Sequence, residues 1–126
     1  MKPLLSVLAA LACCLAYAQP IRIASNSHGD SFVDPKDVTF NDRGFIFKMV
    51  SNSKADPPIS NGRVVASMEF LYEVNCKNKQ ERLLRAIAFD EPFLNGRVLE
   101  TAAPDKKWTS ISQGSVTDVL QKELCK

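Results

Sequence analysis

The strongest constraint on the fold is an alternating segment near the middle of the chain. Between positions 68 and 76, every second residue is an apolar side chain or a cysteine, while Glu69, Glu73 and Asn75 are among those between them. Successive side chains of a β-strand point to opposite faces of the sheet, so a period of two predicts a strand with one face on a core. The residues expected on that core face are Met68, Phe70, Tyr72, Val74 and Cys76.

Other segments of the chain also have the composition of strands, with turn residues such as Asn95-Gly96 between them. Short connections favour antiparallel neighbours. The stretch 51–62, which contains Pro57-Pro58, is expected to be a long exposed loop. The predicted strands are 21–25, 31–34, 45–50, 64–76, 82–89 and 97–101.

The register of the central hairpin follows from the turn about Asn78-Lys79. With a turn of even length, the expected cross-strand pairs are Val74 with Leu83, Phe70 with Ile87 and Met68 with Phe89, and Tyr72 faces Arg85. The outer face would then carry Leu71, Leu84, Ala86 and Ala88. If the pairing slipped by one residue, Leu84, Ala86 and Ala88 would instead lie opposite the apolar residues of the first strand.

The end of the chain is typical of one short helix. Ser115 is suited to an N-cap and Asp118 follows three residues later. Apolar residues then recur at helical spacing, at Val116, Val119, Leu120 and Leu124. The sequence thus predicts an α+β fold, an antiparallel sheet with one C-terminal helix packed on one face. Cys125 lies away from the apolar stripe, so the last turn must loosen for this cysteine to reach the sheet.

The first eighteen residues are typical of an export signal. Lys2 gives a positive start, 4–16 is almost wholly apolar, and Ala16-Tyr17-Ala18 is a cleavage motif. We therefore expect cleavage after Ala18 and a single domain over 19–126. The apolar run is shorter than the roughly 20 residues that span a bilayer, so a permanent anchor is the weaker interpretation. Lipid attachment at Cys13 or Cys14 is the other alternative.

Cleavage would leave Cys76 and Cys125 as the two cysteines of the mature chain. In an oxidising compartment such a pair favours a disulfide, and here it would close a loop of about 50 residues, worth about 4 kcal/mol. A redox or catalytic role is the competing interpretation, but the two cysteines lack C-x-x-C spacing.

Several classes of chemistry find little support in the sequence. Sixteen Lys and Arg against fourteen Asp and Glu leave a charge of +2, too small for a nucleic-acid-binding face. One histidine with scattered carboxylates predicts no metal site, and no motif indicates a cofactor. The run His28-Gly29-Asp30-Ser31 is expected to be a turn rather than a catalytic group. Trp108 is expected to be a core residue over the helix start, with a partner anchor as the alternative.

Three groups of residues resemble the bacterial surface-adhesin protein E family. They are Ile23-Ala24-Ser25 followed by Phe32-Val33-Asp34, Asn75-Cys76 with Arg82-Leu83-Leu84, and Trp108 leading through Gly114-Ser115 to Leu120 and Cys125. The resemblance implies a six-stranded antiparallel sheet with the helix held to it by a disulfide, and a tendency to form a homodimer. It also implies a role as an adhesin for host matrix and plasma proteins.

The residues themselves indicate a protein-binding surface. Lys77, Lys79 and Arg82 gather at one hairpin end, beside the apolar Leu71 and Leu84 of the outer face. We therefore expect an exported envelope or surface protein, not an enzyme, whose partners are other proteins or a second copy of the chain. A periplasmic or released protein without an adhesive role is the alternative, and an exported enzyme is a weaker one.

Overall fold

The computed structural model describes residues 20–126 of the chain. Within this part, eight strands form one antiparallel sheet in the order β1-β2-β4-β7-β8-β10, with β3 beside β4 and β9 beside β8. The strands are β1 (Ile21–Ser25), β2 (Gly29–Val33), β3 (Thr39–Phe40), β4 (Gly44–Ser53), β5 (Ile59–Ser60), β6 (Arg63–Val64), β7 (Ser67–Asn75), β8 (Gln80–Phe89), β9 (Val98–Ala102) and β10 (Thr109–Ser110). Helix α1 (Val116–Leu124) follows, and β5 and β6 form a separate hairpin.

The expected α+β architecture is confirmed, with two differences. The six predicted segments correspond to β1, β2, β4, β7, β8 and β9, and the sheet gains β3 and β10, two strands of two residues that are too short to show a period. The expected exposed loop 51–62 is wrong in part. It contains the end of β4, and β5 pairs with β6 across the Asn61-Gly62 turn.

The expected register of β7 against β8 is wrong because the connecting turn spans four residues, from position 76 to position 79, and because a bulge then interrupts the pairing. Met68 lies opposite Ala88 and Phe70 opposite Ala86, the register shifted by one residue. Beyond the bulge between Leu71 and Tyr72, the pairing changes again. There Tyr72 lies opposite Leu83, Val74 opposite Glu81, and Arg85 opposite Leu71 rather than Tyr72.

Val65, Ala88 and Leu99 form a small buried apolar cluster, and the main core lies between the sheet and α1. Phe45, Phe47 and Val74 are fully buried at its centre. Tyr72 stacks on Phe47 with 5.5 Å between ring centroids. Val116, Leu120 and Leu124 of the helix pack against this cluster, as the helical spacing predicted. Val119, expected in the same stripe, is 44% exposed instead. The helix therefore presents a narrower apolar stripe than its sequence indicates.

The start of α1 is capped as predicted. The Ser115 hydroxyl accepts a hydrogen bond from the Asp118 amide at 3.1 Å. The Asp118 carboxylate accepts in turn from the Gly114 amide at 2.8 Å, and from Gln121 and Lys122. These hydrogen bonds, that from the Gly114 amide foremost, lower the pKa of Asp118 to about 2. The carboxylate thus joins the loop before the helix to the helix itself.

The disulfide between Cys76 and Cys125 is confirmed, with 5.4 Å between the two Cα atoms. Cys125 is the residue just after the last turn of α1, with φ −90° and ψ 57°. Its backbone has left the helical conformation, as expected from its position outside the apolar stripe. Across residues 20–126, no helix is long and apolar enough to cross a membrane.

Candidate protein-binding surface

The turn between β7 and β8 presents its side chains to solvent. Asn75 pairs with Gln80, so four residues form the connection. The Asn78 amide donates to the Asn75 side chain at 3.1 Å, and Lys79 adopts a left-handed conformation with φ 52°. Lys77 and Lys79 are both exposed. The tight turn therefore holds two cations in fixed backbone positions.

The disulfide adds the end of the chain to this surface. Lys77 follows Cys76 and Lys126 follows Cys125, and consecutive Cα atoms are about 3.8 Å apart. The Cα atoms of Lys77 and Lys126 are thus at most about 13 Å apart. Lys79 and Lys122 line a shallow cavity of about 460 Å³ that borders the disulfide. We call Lys77, Lys79, Lys122 and Lys126 the basic end.

The charges of the basic end are only partly neutralised. Lys122 donates to Asp118 at 3.0 Å. Lys77, Lys79 and Lys126 form no ion pair with any residue between 20 and 126. Exposed cations that lack a partner attract acidic surfaces and accelerate encounter with them. The structure thus places two of the predicted residues, Lys77 and Lys79, together with two lysines that the sequence analysis did not select.

Arg82, the third predicted cation, has a different environment. It lies on the outer face of the sheet opposite Glu73. Its Nε and Nη2 atoms donate to Glu73 Oε1 at 2.8 and 2.6 Å. Arg43 and Asn41, from the turn before β4, donate to Glu73 Oε2 at 3.2 and 2.9 Å. We call these four residues the Glu73 clasp. Arg82 therefore holds the sheet together and is not a free cation.

Trp108 covers the clasp instead of the helix start. The Arg82 guanidinium lies 4.4 Å from the centroid of its ring and that of Arg43 lies 5.9 Å away. Cations close to an aromatic face are attracted to it. The expectation that Trp108 packs over the start of α1 is thus wrong. Its position follows from β10, which pairs with the beginning of β8 and carries the preceding segment across Arg82.

The predicted apolar centre of the outer face is smaller than expected. Leu71 lies between Lys48 on β4 and Arg85 on β8, and is partly buried. Arg85 pairs with Glu69 at 2.7 Å. Leu84 stands at the bulge, and the register turns Ala86 and Ala88 toward the face that carries α1. Leu71 therefore sits among paired charges and is not part of a continuous apolar strip.

A larger apolar feature beside α1 was not predicted from the sequence. Phe40 is 63% exposed and Ile21 is 53% exposed. Both residues border a groove of about 220 Å³, whose other wall includes Leu120 and Leu124 of the helix. The alternation of Val38, Thr39 and Phe40 was a signal for this position, but three residues are too few to distinguish a strand from a loop. We call this feature the apolar groove.

The turn predicted over His28-Gly29-Asp30-Ser31 is correct only in part, because Gly29, Asp30 and Ser31 belong to β2 and the turn lies before them. The Asn26 side chain accepts hydrogen bonds from the amides of His28 and Gly29 at 2.8 and 3.0 Å. Asp30 already belongs to β2, where Lys54 lies 2.9 Å away and hydrogen bonds from Ser25 and Lys54 lower its pKa. Within residues 20–126, no cluster of His, Cys, Asp or Glu could hold a metal ion.

Comparison with solved structures places this fold beside Haemophilus influenzae protein E. A selenomethionine form of that protein aligns with a TM-score of 0.60 at 19% identity, covering 84% of each chain. Its crystal form II gives a TM-score of 0.59 at 21% identity, covering 84% of this chain and 86% of that one. Protein E from non-typeable Haemophilus influenzae gives 0.55 at 19% identity, covering 84% and 74%. At these identities the likeness shows the fold alone.

The sequence of the chain identifies its family as well as its fold. No curated protein matches the chain significantly. The family model for surface-adhesin protein E matches residues 20–126. This match includes the whole sheet, the Glu73 clasp, α1 and both cysteines of the disulfide. The chain therefore belongs to the surface-adhesin protein E family.

Proposed function

We propose that this chain is an exported protein of the cell envelope or surface that binds other proteins through its basic end. The observation that carries the proposal is that Lys77, Lys79 and Lys126 lie around the Cys76–Cys125 disulfide and form no ion pair within residues 20–126. Membership of a family of surface adhesins supports a protein partner. Host matrix and plasma proteins with acidic surfaces are the partners that this charge favours.

The position of the basic end favours binding with a small loss of conformational freedom. Lys77 and Lys79 lie on a four-residue turn whose flanking strands are paired, and the disulfide restrains the chain next to Lys126. A rigid backbone reduces the entropy lost when a partner binds. The exposed charges are screened by salt, so affinity should fall as ionic strength rises.

Charge reversal tests this surface directly. The mature domain 19–126 with Lys77→Glu, Lys79→Glu and Lys126→Glu is compared with the unchanged domain for binding to immobilised matrix and plasma proteins. Lys36, Lys106 and Arg97 are exposed residues that lie outside the basic end, and reversing them gives a matched control. We expect the first variant to lose at least about tenfold in affinity and the control to bind as the unchanged domain does.

Equal losses in the two variants would show a nonspecific effect of charge and contradict the assignment of the basic end. A different outcome is that the unchanged domain binds no matrix or plasma protein and that fractionation recovers the protein from the periplasm. This result would favour an envelope role without adhesion. A catalytic function is the third candidate, and the described part of the chain offers it no specific support.

We further propose that the chain self-associates. Leu71 and Leu84 were the expected contact, but the larger exposed apolar area is at the apolar groove, where Phe40 is 63% exposed. Sedimentation velocity of the Phe40→Ser and Leu71→Asp variants distinguishes the two surfaces. The variant that shifts the domain toward the monomer identifies the contact, and a wild-type domain that is monomeric at all concentrations contradicts self-association.

A further inference from the structure

A further cavity lies on the face of the sheet that carries α1, at the end of β4 that is remote from the basic end. The residues of β4 that point to this face are Phe45, Phe47, Met49, Ser51 and Ser53. The first three belong to the core or pack against it, and the last two are serines. A cavity of about 360 Å³ lies over these serines, and no residue of the helix lines it.

One part of the lining of this cavity is apolar. Phe70 and Met68 of β7 contribute it. The ring centroid of Phe70 lies 6.2 Å from that of Tyr72, but Phe70 is only partly buried and belongs to neither apolar cluster of the described chain. An aromatic ring that borders a cavity offers a flat surface on which the apolar face of a ligand can pack.

Three serine hydroxyls lie beside this apolar part. Ser31, Ser51 and Ser53 line the cavity, and Ser31 lies opposite Ser51 in the pairing of β2 with β4. None of the three hydroxyls forms a hydrogen bond with a residue between 20 and 126. A hydroxyl both donates and accepts, so this group suits a ligand that itself carries several hydroxyls.

The walls of the cavity are held in place by backbone hydrogen bonds. The Lys54 amide donates to the His28 carbonyl at 2.8 Å, which joins the segment after β4 to the turn before β2. Asn26 Oδ1 accepts from the amides of His28 and Gly29, and this fixes the side chain so that its Nδ2 group is the donor available at the wall. A site whose walls are fixed before binding loses little conformational entropy when a ligand enters.

The charges of the lining are unsuited to an anionic ligand. Asp56 and His28 line the cavity, but no lysine or arginine does. Lys54, the nearest cation along the chain, pairs with Asp30 at 2.9 Å. A sulfate, phosphate or carboxylate group is bound most strongly by arginine or lysine. The ligand that fits this lining is therefore neutral.

We propose that this cavity, which we call the serine cavity, binds a neutral pyranose unit of a saccharide. A pyranose ring has a face of C–H groups, which would pack on Phe70. Its hydroxyl groups would hydrogen bond to Ser31, Ser51 and Asn26. The volume lies within the range of small-molecule sites, about 300 to 1,000 Å³. The site shares no residue with the basic end, so it stands independently of the proposed adhesive surface.

Saturation-transfer difference NMR on the mature domain tests for binding of a pyranose. Methyl α-mannoside and methyl β-N-acetylglucosaminide are the probes, and mannitol, which carries hydroxyl groups without a ring, is the control. We expect at least one probe to bind saturably with a Kd of about 1 to 10 mM, with the strongest transfer at its ring C–H protons. Mannitol should give no saturable signal.

Two macromolecular arms distinguish the source of the saccharide. One measures cosedimentation of the domain with purified bacterial cell-wall sacculi. The other measures binding to a glycoprotein with high-mannose glycans, against the same glycoprotein after enzymatic removal of its glycans. Phe70→Leu is the control variant in both arms, so that binding through the basic end is not counted.

Variants then locate the site in the serine cavity. Phe70→Leu removes the ring but keeps an apolar side chain, and it should weaken the pyranose probe about threefold to tenfold. Ser51→Ala removes one hydroxyl and should weaken the probe by about the same factor. Ser27→Ala, which changes an exposed serine outside the lining, should leave the affinity unchanged.

Ser51→Ala removes a single oxygen atom, so it keeps the test valid if Phe70→Leu does not fold. Three results would overturn the proposal. They are a lack of saturable binding by both probes, binding of mannitol as tight as that of the pyranose, and an affinity that neither Phe70→Leu nor Ser51→Ala changes.

Discussion

Replacement of Glu73 by glutamine should destabilise the domain more than any exposed substitution in the sheet. Glu73 is 3% exposed and its two oxygens accept hydrogen bonds from Asn41, Arg43 and Arg82. A glutamine keeps the shape of the side chain but removes the charge, and it turns an NH₂ group toward guanidinium donors. The perturbation therefore removes the charge of the clasp and part of its hydrogen bonding, and it leaves the packing of the side chain nearly unchanged.

The magnitude follows from how far each partner is buried. Removing one partner of a fully buried ion pair costs about 3 to 5 kcal/mol, and exposed pairs contribute about 0 to 1 kcal/mol. The side chains of Arg82 and Arg43 are 24% and 55% exposed, so both cations regain water when Glu73 is changed. We expect a loss of about 2 kcal/mol, between these limits.

Urea unfolding followed by circular dichroism measures this loss, and double-mutant cycles divide it between the two arginines. Coupling of Glu73 to Arg82 should exceed coupling to Arg43, because Arg82 is more buried and donates twice. A total loss below about 0.5 kcal/mol, or a larger coupling to Arg43, would refute the reasoning.

The loss should also depend on pH. Burial acts to raise the pKa of Glu73, but hydrogen bonds from Arg82 and Arg43 outweigh it and lower the pKa below 4.5. A carboxylate with a lowered pKa in the folded state stabilises the fold above its ordinary pKa and loses this effect as the pH falls. The stability difference between Glu73→Gln and the unchanged domain should therefore be constant at neutral pH and shrink below about pH 4.5.

Three other outcomes are expected. Cys125→Ser should reduce the free energy of unfolding by about 2 to 5 kcal/mol, measured by urea denaturation against the unchanged domain. In reducing buffer, which breaks the disulfide, the unchanged domain and the variant should have the same stability. Asp118→Asn should lower Tm at neutral pH, because the carboxylate has a pKa of about 2, and the difference should disappear as the pH falls toward that value. Intact-mass measurement of protein from the native host should give a chain that begins at Gln19, and a mass increased by acyl chains would instead assign lipid to Cys13 or Cys14.

The long strands and the helix were predictable because their signals are local. Alternation over positions 68–76 and the Ser115 cap specify one element each. The bulge was not predictable, because Leu83 and Leu84 are equally apolar and either could face the core. Only the pairing of the complete sheet decides that Leu83 lies opposite Tyr72.

The Glu73 clasp could not be predicted from the sequence either. Glutamate at an outward position of a strand is usually solvated, and Glu73 becomes buried because a turn thirty residues earlier brings Arg43 to it. Trp108 then adds a cover from the other direction along the chain. Contacts between segments so far apart leave no periodic signal, since each residue alone has an ordinary surface role.

The disulfide and the Glu73 clasp restrain the same end of the sheet from opposite faces. Glu73 and Cys76 are three residues apart on β7 and its turn, and the clasp lies on the outer face while the disulfide joins the side that carries α1. Neither restraint uses the side chain of Lys77 or Lys79, so both side chains remain exposed while the flanking strands are fixed. This separation of stability from the exposed cations explains why charge reversal at the basic end should change binding and leave the fold intact, whereas loss of either restraint should reduce stability and binding together.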